Sequence, residues 1–139
     1  MDRSFDISSL PILSDLCRKH HLDLLVLFGS QMKGEIHARS DLDLAAVPKR
    51  GKKPDLLAAT MDFSRCLDRG DVELTIVTTD SSPLLLFEIF TTGIPLYEAH
   101  SGLFEDWVVL AHKIYWDTEK FRKWQRLSLE KWLEEDDVS

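Results

Sequence analysis

The alternation of apolar and polar residues along the chain predicts three β-strands. Residues 22–29, LDLLVLFG, form an apolar run that is too short for a surface helix and is typical of a strand buried on both faces. Residues 41–48, DLDLAAVP, alternate between polar and apolar positions, and Pro48 ends the segment. Residues 71–79, DVELTIVTT, alternate in the same way and are rich in β-branched side chains, which favour a strand.

Apolar residues at intervals of three and four predict four helices. Ser8 or Ser9 is the expected N-cap of the first helix. The third predicted helix ends at Gly93, and residues 94–99 form a brief extended segment after it. We expect the fourth helix to bend near Thr118. The four predicted helices are residues 7–21, 54–68, 83–93 and 102–135.

The order of these elements predicts an α/β (α+β) fold, in which helices pack against a small mixed β-sheet. The 139 residues suit one domain with a single core, and no internal repeat or long linker divides them. We therefore expect one domain over residues 1–139, with the sheet in about 22–79 and a C-terminal helical part in about 82–135.

Composition and charge narrow the class of protein. No apolar run approaches the about 20 residues of a membrane span, and the N-terminus has no apolar signal region. The net charge of −7 argues against direct nucleic-acid binding, which depends on clustered Lys and Arg. Cys17 and Cys66 lack metal-ligand spacing and are expected to be buried free thiols. Together these features predict a cytoplasmic protein without a membrane or nucleic-acid partner.

Two carboxylates stand out in the second predicted strand. Residues i and i+2 of a strand point to the same face, with Cα atoms roughly 6.5–7 Å apart, so Asp41 and Asp43 lie side by side while Leu42 and Leu44 face the core. Two such charges repel each other unless a cation lies between them. Mg²⁺ suits this place because it binds one or two carboxylates and completes its shell with water and substrate phosphates.

A candidate phosphate-binding turn follows the first predicted strand. Gly29 lets backbone N–H groups approach an anion closely, and Ser30 adds a hydroxyl donor. If Ser30 opens a short helix, its N-terminus also favours an anion. Lys33 lies one turn further on, where it can neutralise a phosphate, and Gly34 permits the chain to reverse. A phosphate-binding turn next to a metal-binding pair indicates a site for a metal-bound nucleoside triphosphate.

The pattern Gly29-Ser30, ten residues, Asp41-X-Asp43 resembles the signature of the polymerase-beta-like nucleotidyltransferases, and the short chain is similar to their minimal nucleotidyltransferase (MNT) branch. The resemblance implies a third carboxylate from a neighbouring strand, and the matching position is Glu73, where branch members often carry Asp. Asp71 lies on the same face and remains a rival. The chain also departs from the branch after the turn, where Gln-Met-Lys replaces the usual arginines.

The resemblance implies that AMP is transferred from ATP with release of pyrophosphate, with one or two Mg²⁺ ions held by Asp41, Asp43 and Glu73. It assigns phosphate binding to Gly29 and Ser30. Lys33 and Ser40 complete the candidate nucleotide-binding set, although Ser40 suits a role in shaping the turn into the strand better than contact with the substrate. His37 and Arg39 have no assigned role.

Minimal nucleotidyltransferases are commonly paired with a HEPN-domain ribonuclease. By that resemblance the chain is expected to be an antitoxin that adenylylates a hydroxyl of the toxin, such as that of a tyrosine, in a hetero-oligomer with it. Two alternatives stay open: a non-catalytic antitoxin that acts by steric binding, and a small-molecule adenylyltransferase similar to the aminoglycoside-modifying enzymes.

Large apolar residues in the last predicted helix divide into two groups. One group shares a helical face and is expected in the core: Trp107, Leu110, Ala111 and Ile114. The other lies in a strongly charged segment, where core packing is the first expectation and a protein-binding face the second: Phe121, Trp124, Leu127, Trp132 and Leu133.

Overall fold

The computed structural model of the chain describes residues 10–29 and 42–137, and these ranges contain four helices and four strands. None of these helices is long and apolar enough to cross a membrane. The elements in chain order are α1 (Leu10–Lys19), β1 (Leu22–Phe28), β2 (Leu42–Pro48), α2 (Leu56–Leu67), β3 (Val72–Ile76), α3 (Pro83–Thr92), β4 (Ile94–Glu98) and α4 (Leu103–Asp137).

The four strands form one mixed sheet in the order β3-β2-β1-β4. β1 is antiparallel to both of its neighbours, β2 and β4, whereas β2 and β3 are parallel. Parallel neighbours need a crossover connection, and α2 provides it between β2 and β3. The expected α/β fold with a small mixed sheet is therefore confirmed.

Each face of the sheet is covered by two helices, which explains why its central strands are so apolar. One face, here called the α1/α2 face, packs against a cluster that includes the fully buried Phe63 of α2. The other, the α3/α4 face, packs against a cluster that includes Ile89 of α3 and Ala111 of α4. The two faces take alternate residues of β2: Leu42, Leu44 and Ala46 point to the α1/α2 face, and Ala45 and Val47 to the α3/α4 face.

Side-chain capping begins α2 and α3. The side chain of Asp55 accepts a hydrogen bond from the Ala58 amide at 3.1 Å, and that of Ser82 accepts one from the Leu85 amide at 3.4 Å. Gly93 follows α3, and a Cβ there would lie 3.1 Å from the Leu27 carbonyl oxygen and still closer to other atoms. Glycine thus allows the end of α3 to approach β1.

Two details of the secondary structure differ from expectation, and one prediction is not tested. The extended segment 94–99 proves to be an edge strand, β4, that pairs with β1 from Leu24 to Leu27. The final helix runs through Thr118 without interruption. The proposed N-cap serines, Ser8 and Ser9, lie outside the described residues.

The two cysteines are free, but they differ in exposure. Cys17 is fully buried, as expected, and burial raises the pKa of its thiol to about 12. The expectation that Cys66 is buried is wrong. Cys66 lies in the last turn of α2, beyond Phe63, the last buried residue of that helix.

The second half of α4 is exposed, which corrects the first expectation for its large apolar residues. Trp107, Ala111 and Ile114 pack on the α3/α4 face as predicted, and Leu110 is half-buried. A 35-residue helix is roughly 50 Å long, whereas a seven-residue strand is roughly 23 Å long. The second half of α4 therefore extends beyond the sheet. The side chains that were expected in the core and are exposed instead are Phe121, Trp124, Leu127, Trp132 and Leu133.

Candidate active site

Asp43 and Glu73 are direct neighbours on adjacent parallel strands. The register pairs Asp43 of β2 with Glu73 of β3, and neighbouring strands lie about 4.8 Å apart. Ala45 follows Asp43 by two residues and lies in the core of the α3/α4 face, and Val77, four residues after Glu73, lies in the same core. Both carboxylates therefore belong to the α3/α4 face, where Asp43 is half-buried and Glu73 is exposed to solvent.

The turn after β1 begins against the Asp43 carboxylate. Phe28, the last residue of β1, is the register partner of Asp43, and Gly29 follows with a φ of +89°. A Cβ at Gly29 would collide with Oδ2 of Asp43 and lie 3.0 Å from its Cγ. Glycine is thus required twice, by its backbone conformation and by the space that the carboxylate occupies. The predicted phosphate-binding turn and the predicted metal-binding strand therefore meet at this point.

Asp71, the rival of Glu73, is engaged by Arg69. Nε of Arg69 donates to Oδ1 of Asp71 at 2.8 Å, and Nη2 donates to Oδ2 at 2.6 Å, so the ion pair is bidentate. This hydrogen bonding raises the pKa of the Arg69 guanidinium. Because both oxygens of Asp71 already accept from Arg69, Glu73 is the better candidate for a metal ligand.

Several predicted site residues lie outside the described residues, and their roles stay predictions: Ser30, Lys33, His37, Arg39, Ser40 and Asp41. Within residues 10–29 and 42–137 no group of three or more His, Cys, Asp or Glu side chains is arranged to hold a metal ion. The described residues therefore include two of the three predicted metal ligands, Asp43 and Glu73. Two adjacent carboxylates fit Mg²⁺ chemically, because it prefers oxygen donors.

Arg69 is the residue near this site that sequence reasoning missed. Its signal was present in the stretch Arg69-Gly70-Asp71, which places a cation two residues before an acid. In extended backbone that spacing puts both side chains on one face. The Asp71 carbonyl also accepts a hydrogen bond from the Leu42 amide at 2.9 Å, which ties the start of β3 to the start of β2 beside Asp41.

A protein-family comparison identifies the domain that carries this geometry. The family described as "Polymerase beta, Nucleotidyltransferase" matches residues 12–101, a range that contains all four strands and both described carboxylates. The chain belongs to the polymerase-beta nucleotidyltransferase family. No curated protein matches the sequence.

Several solved structures are similar to nearly the whole chain, beyond the range that the family model matches. One, described as a toxin-antitoxin with AMP-PNP, has 25% identity and a TM-score of 0.63, and the match covers 93% of this chain and 97% of that one. A mutant of the toxin-antitoxin MntA-HpeT has 26% identity and a TM-score of 0.59, with coverages of 92% and 95%. A tri-AMPylated Shewanella oneidensis HEPN toxin in complex with MNT antitoxin is similar in fold, at 24% identity, a TM-score of 0.54 and coverages of 94% and 96%.

Proposed function

We propose that the chain is a Mg²⁺-dependent nucleotidyltransferase that transfers AMP from ATP to a hydroxyl of a partner protein. We further propose that the partner is a HEPN-type ribonuclease toxin, and that the chain is its antitoxin. The observation that supports the chemistry best is the register that places Asp43 beside Glu73, with Gly29 against the Asp43 carboxylate.

The proposed reaction is a displacement at the α-phosphorus of ATP. The acceptor oxygen forms a bond to that phosphorus, the bond to the β-phosphate oxygen breaks, and pyrophosphate leaves. Asp41, Asp43 and Glu73 would hold Mg²⁺, which when bound neutralises charge that develops on the phosphates. Glu73 is exposed beside Asp43 and is the proposed acceptor of the hydroxyl proton.

The nucleotide would be held by the turn after β1. Gly29 brings backbone N–H groups close to the β- and γ-phosphates, and the Ser30 hydroxyl and Lys33 ammonium add donors. Ser40 completes the proposed set. Phosphoryl transfer depends mainly on positioning and charge neutralisation, which are the two roles proposed for this small set of residues.

The nature of the partner is supported by the similar solved structures. One contains AMP-PNP in a toxin-antitoxin, and another contains a tri-AMPylated HEPN toxin in complex with MNT antitoxin. A nucleotide analogue and an AMP-modified partner are the substrate and product classes that the proposed reaction requires.

Incubation of the chain with labelled ATP, Mg²⁺ and a HEPN-domain protein tests the proposal. We expect label on the HEPN protein with wild type, and none with the double variant Asp41→Asn plus Asp43→Asn. Asp80→Asn is the matched control, because Asp80 is an exposed acid beyond β3 and should leave labelling unchanged. Absence of label with wild type, or undiminished label with the double variant, would contradict the proposal.

The steric alternative is separated from catalysis by measuring the ribonuclease activity of the HEPN protein without ATP. Complete neutralisation by a stoichiometric amount of the double variant would favour steric binding. A mass increase on an aminoglycoside, with no label on protein, would favour the small-molecule reaction.

A further inference from the structure

The second half of α4 presents large apolar side chains to solvent. From residue 119 to residue 135 every side chain is exposed, and this segment is called the α4 extension below. Three of its aromatic side chains are more than half exposed: Phe121 at 55%, Trp124 at 62% and Trp132 at 60%. Apolar exposure of this density on one helix marks a surface that binds another protein surface.

The extension lacks the packing that usually stabilises a helix. Isolated helices of about 12–15 residues are marginal in water, and most helices in proteins depend on tertiary packing of an apolar face. Because the side chains of the α4 extension are exposed, such packing has to come from a second molecule.

The charges of the extension fall into two opposite halves. Residues 120–126 carry four basic side chains and no acidic one: Lys120, Arg122, Lys123 and Arg126. Residues 130–135 carry three acidic side chains and one lysine: Glu130, Glu134, Glu135 and Lys131. Two copies of this segment placed antiparallel would set each basic half against an acidic half, whereas two parallel copies would set like charges together.

We infer that the α4 extension pairs with the same segment of a second copy of this chain in an antiparallel arrangement. A midpoint at Ser128 places Trp124 opposite Trp132. The spacing of three, four and four residues puts Phe121, Trp124, Ser128 and Trp132 on one helical face, so each tryptophan of one copy meets a tryptophan of the other, as a twofold interface requires.

The apolar area of the extension is large enough for a stable pair. A large aromatic side chain can bury 150–250 Å², and those of the extension are more than half exposed. The three aromatic side chains of two copies therefore offer roughly 500–900 Å² of apolar area, and the polar atoms around them bring the contact to on the order of 1,000 Å², the threshold of a specific interface. This inference is independent of the proposed catalytic function, because it concerns residues that the candidate site does not contain.

The oligomeric state of the full chain alone is the first test. Light scattering after gel filtration, at concentrations up to on the order of 100 μM where weak interfaces associate, should give twice the 16.0 kDa of one chain. Trp132→Glu should return the protein to one chain mass with an unchanged thermal unfolding midpoint of the core domain. A single-chain mass for wild type at every concentration would overturn the inference, as would a dimer that survives Trp132→Glu.

Charge reversal and cross-linking test the direction of pairing. Lys120→Glu should weaken the dimer, because Lys120 lies beside the shared face and level with Glu135 of the second copy, and the further change Glu135→Lys in the same chain should restore it. In a Cys66→Ser background, oxidation should cross-link two copies of Ser128→Cys, which lies at the midpoint, but not two copies of Gln125→Cys, which an antiparallel arrangement sets about 9 Å apart along the helix axis. Equal cross-linking of both variants would indicate parallel pairing, and no restoration by the second charge reversal would overturn the antiparallel arrangement.

Discussion

Replacing Gly29 with alanine perturbs the point where the turn after β1 meets the Asp43 carboxylate. The added Cβ would collide with Oδ2 of Asp43 and lie 3.1 Å from its Cβ, so the carboxylate has to move away from the turn. The backbone of Gly29 also has a φ of +89°, a conformation that L-residues adopt at a cost. Gly29→Ala therefore combines backbone strain with displacement of a proposed metal ligand.

The two effects have different magnitudes and different readouts. Backbone strain of this kind costs about 1–3 kcal/mol, which for a domain of this size lowers Tm by roughly 3–10 °C. A displacement of about 1 Å in a positioned catalytic group can reduce the rate about 100-fold. We expect Gly29→Ala to remain folded and to lose at least about 100-fold in the rate of AMP transfer to the HEPN protein. The measurements are the rate of AMP transfer and Tm on the same preparation.

Gly51 offers a matched control. Its φ of +81° is nearly the same as that of Gly29, but a Cβ there would meet no atom within 4 Å. Gly51→Ala should therefore show a similar loss of stability with no loss of transfer rate. If the two variants are equally active, the contact between Gly29 and Asp43 does not position the carboxylate for catalysis.

Three further outcomes are expected. Glu73→Gln should abolish AMP transfer with little change in Tm, because the side chain is exposed. Asp71→Asn should lower the free energy of unfolding by about 1 kcal/mol through its lost ion pair with Arg69 and should keep AMP transfer. The opposite pattern in the transfer assay would make Asp71 the metal ligand. Hydrogen bonds from Lys19 and His20 lower the pKa of Asp62, so this carboxylate stabilises the fold above its unfolded-state pKa of about 4, and the stabilisation is lost as pH falls through the lower folded-state pKa. Asp62→Asn should therefore make Tm less dependent on pH in that acidic range, and an unchanged pH profile of Tm would refute this role of Asp62. A thiol reagent should modify Cys66 in the native protein and Cys17 only after unfolding, and rapid reaction of two thiols in the native state would contradict the burial of Cys17.

Local patterns were sufficient to predict the elements that position the site. The apolar run of β1 and the alternation in β2 and β3 are properties of short segments, and the structure places strands in all three. The extended segment that became β4 was harder to recognise, because Pro95 interrupts a strand pattern. Proline is tolerated on an edge strand, and only the pairing with β1 distinguishes this edge from a loop.

Register and packing partners could not be predicted from the sequence in the same way. The pairing of Asp43 with Glu73 depends on how α2 returns the chain to the sheet, which no local pattern specifies. Similarly, helical spacing predicts that Phe121 and Trp132 share a face, but not that α4 extends past the sheet and leaves them exposed. The ion pair of Arg69 with Asp71 is a local feature, and the spacing of the two residues would have predicted it.

Metal rescue at position 43 tests most directly whether this side chain binds the catalytic ion. In a Cys66→Ser background, Asp43→Cys replaces the carboxylate with a thiolate, which binds Mg²⁺ poorly and softer ions well. The account predicts that this variant transfers no AMP to the HEPN protein in Mg²⁺ and regains transfer when Mn²⁺ or Cd²⁺ is added, while the Cys66→Ser parent is active in Mg²⁺. A variant as active as its parent in Mg²⁺ would contradict the proposal that Asp43 holds the ion.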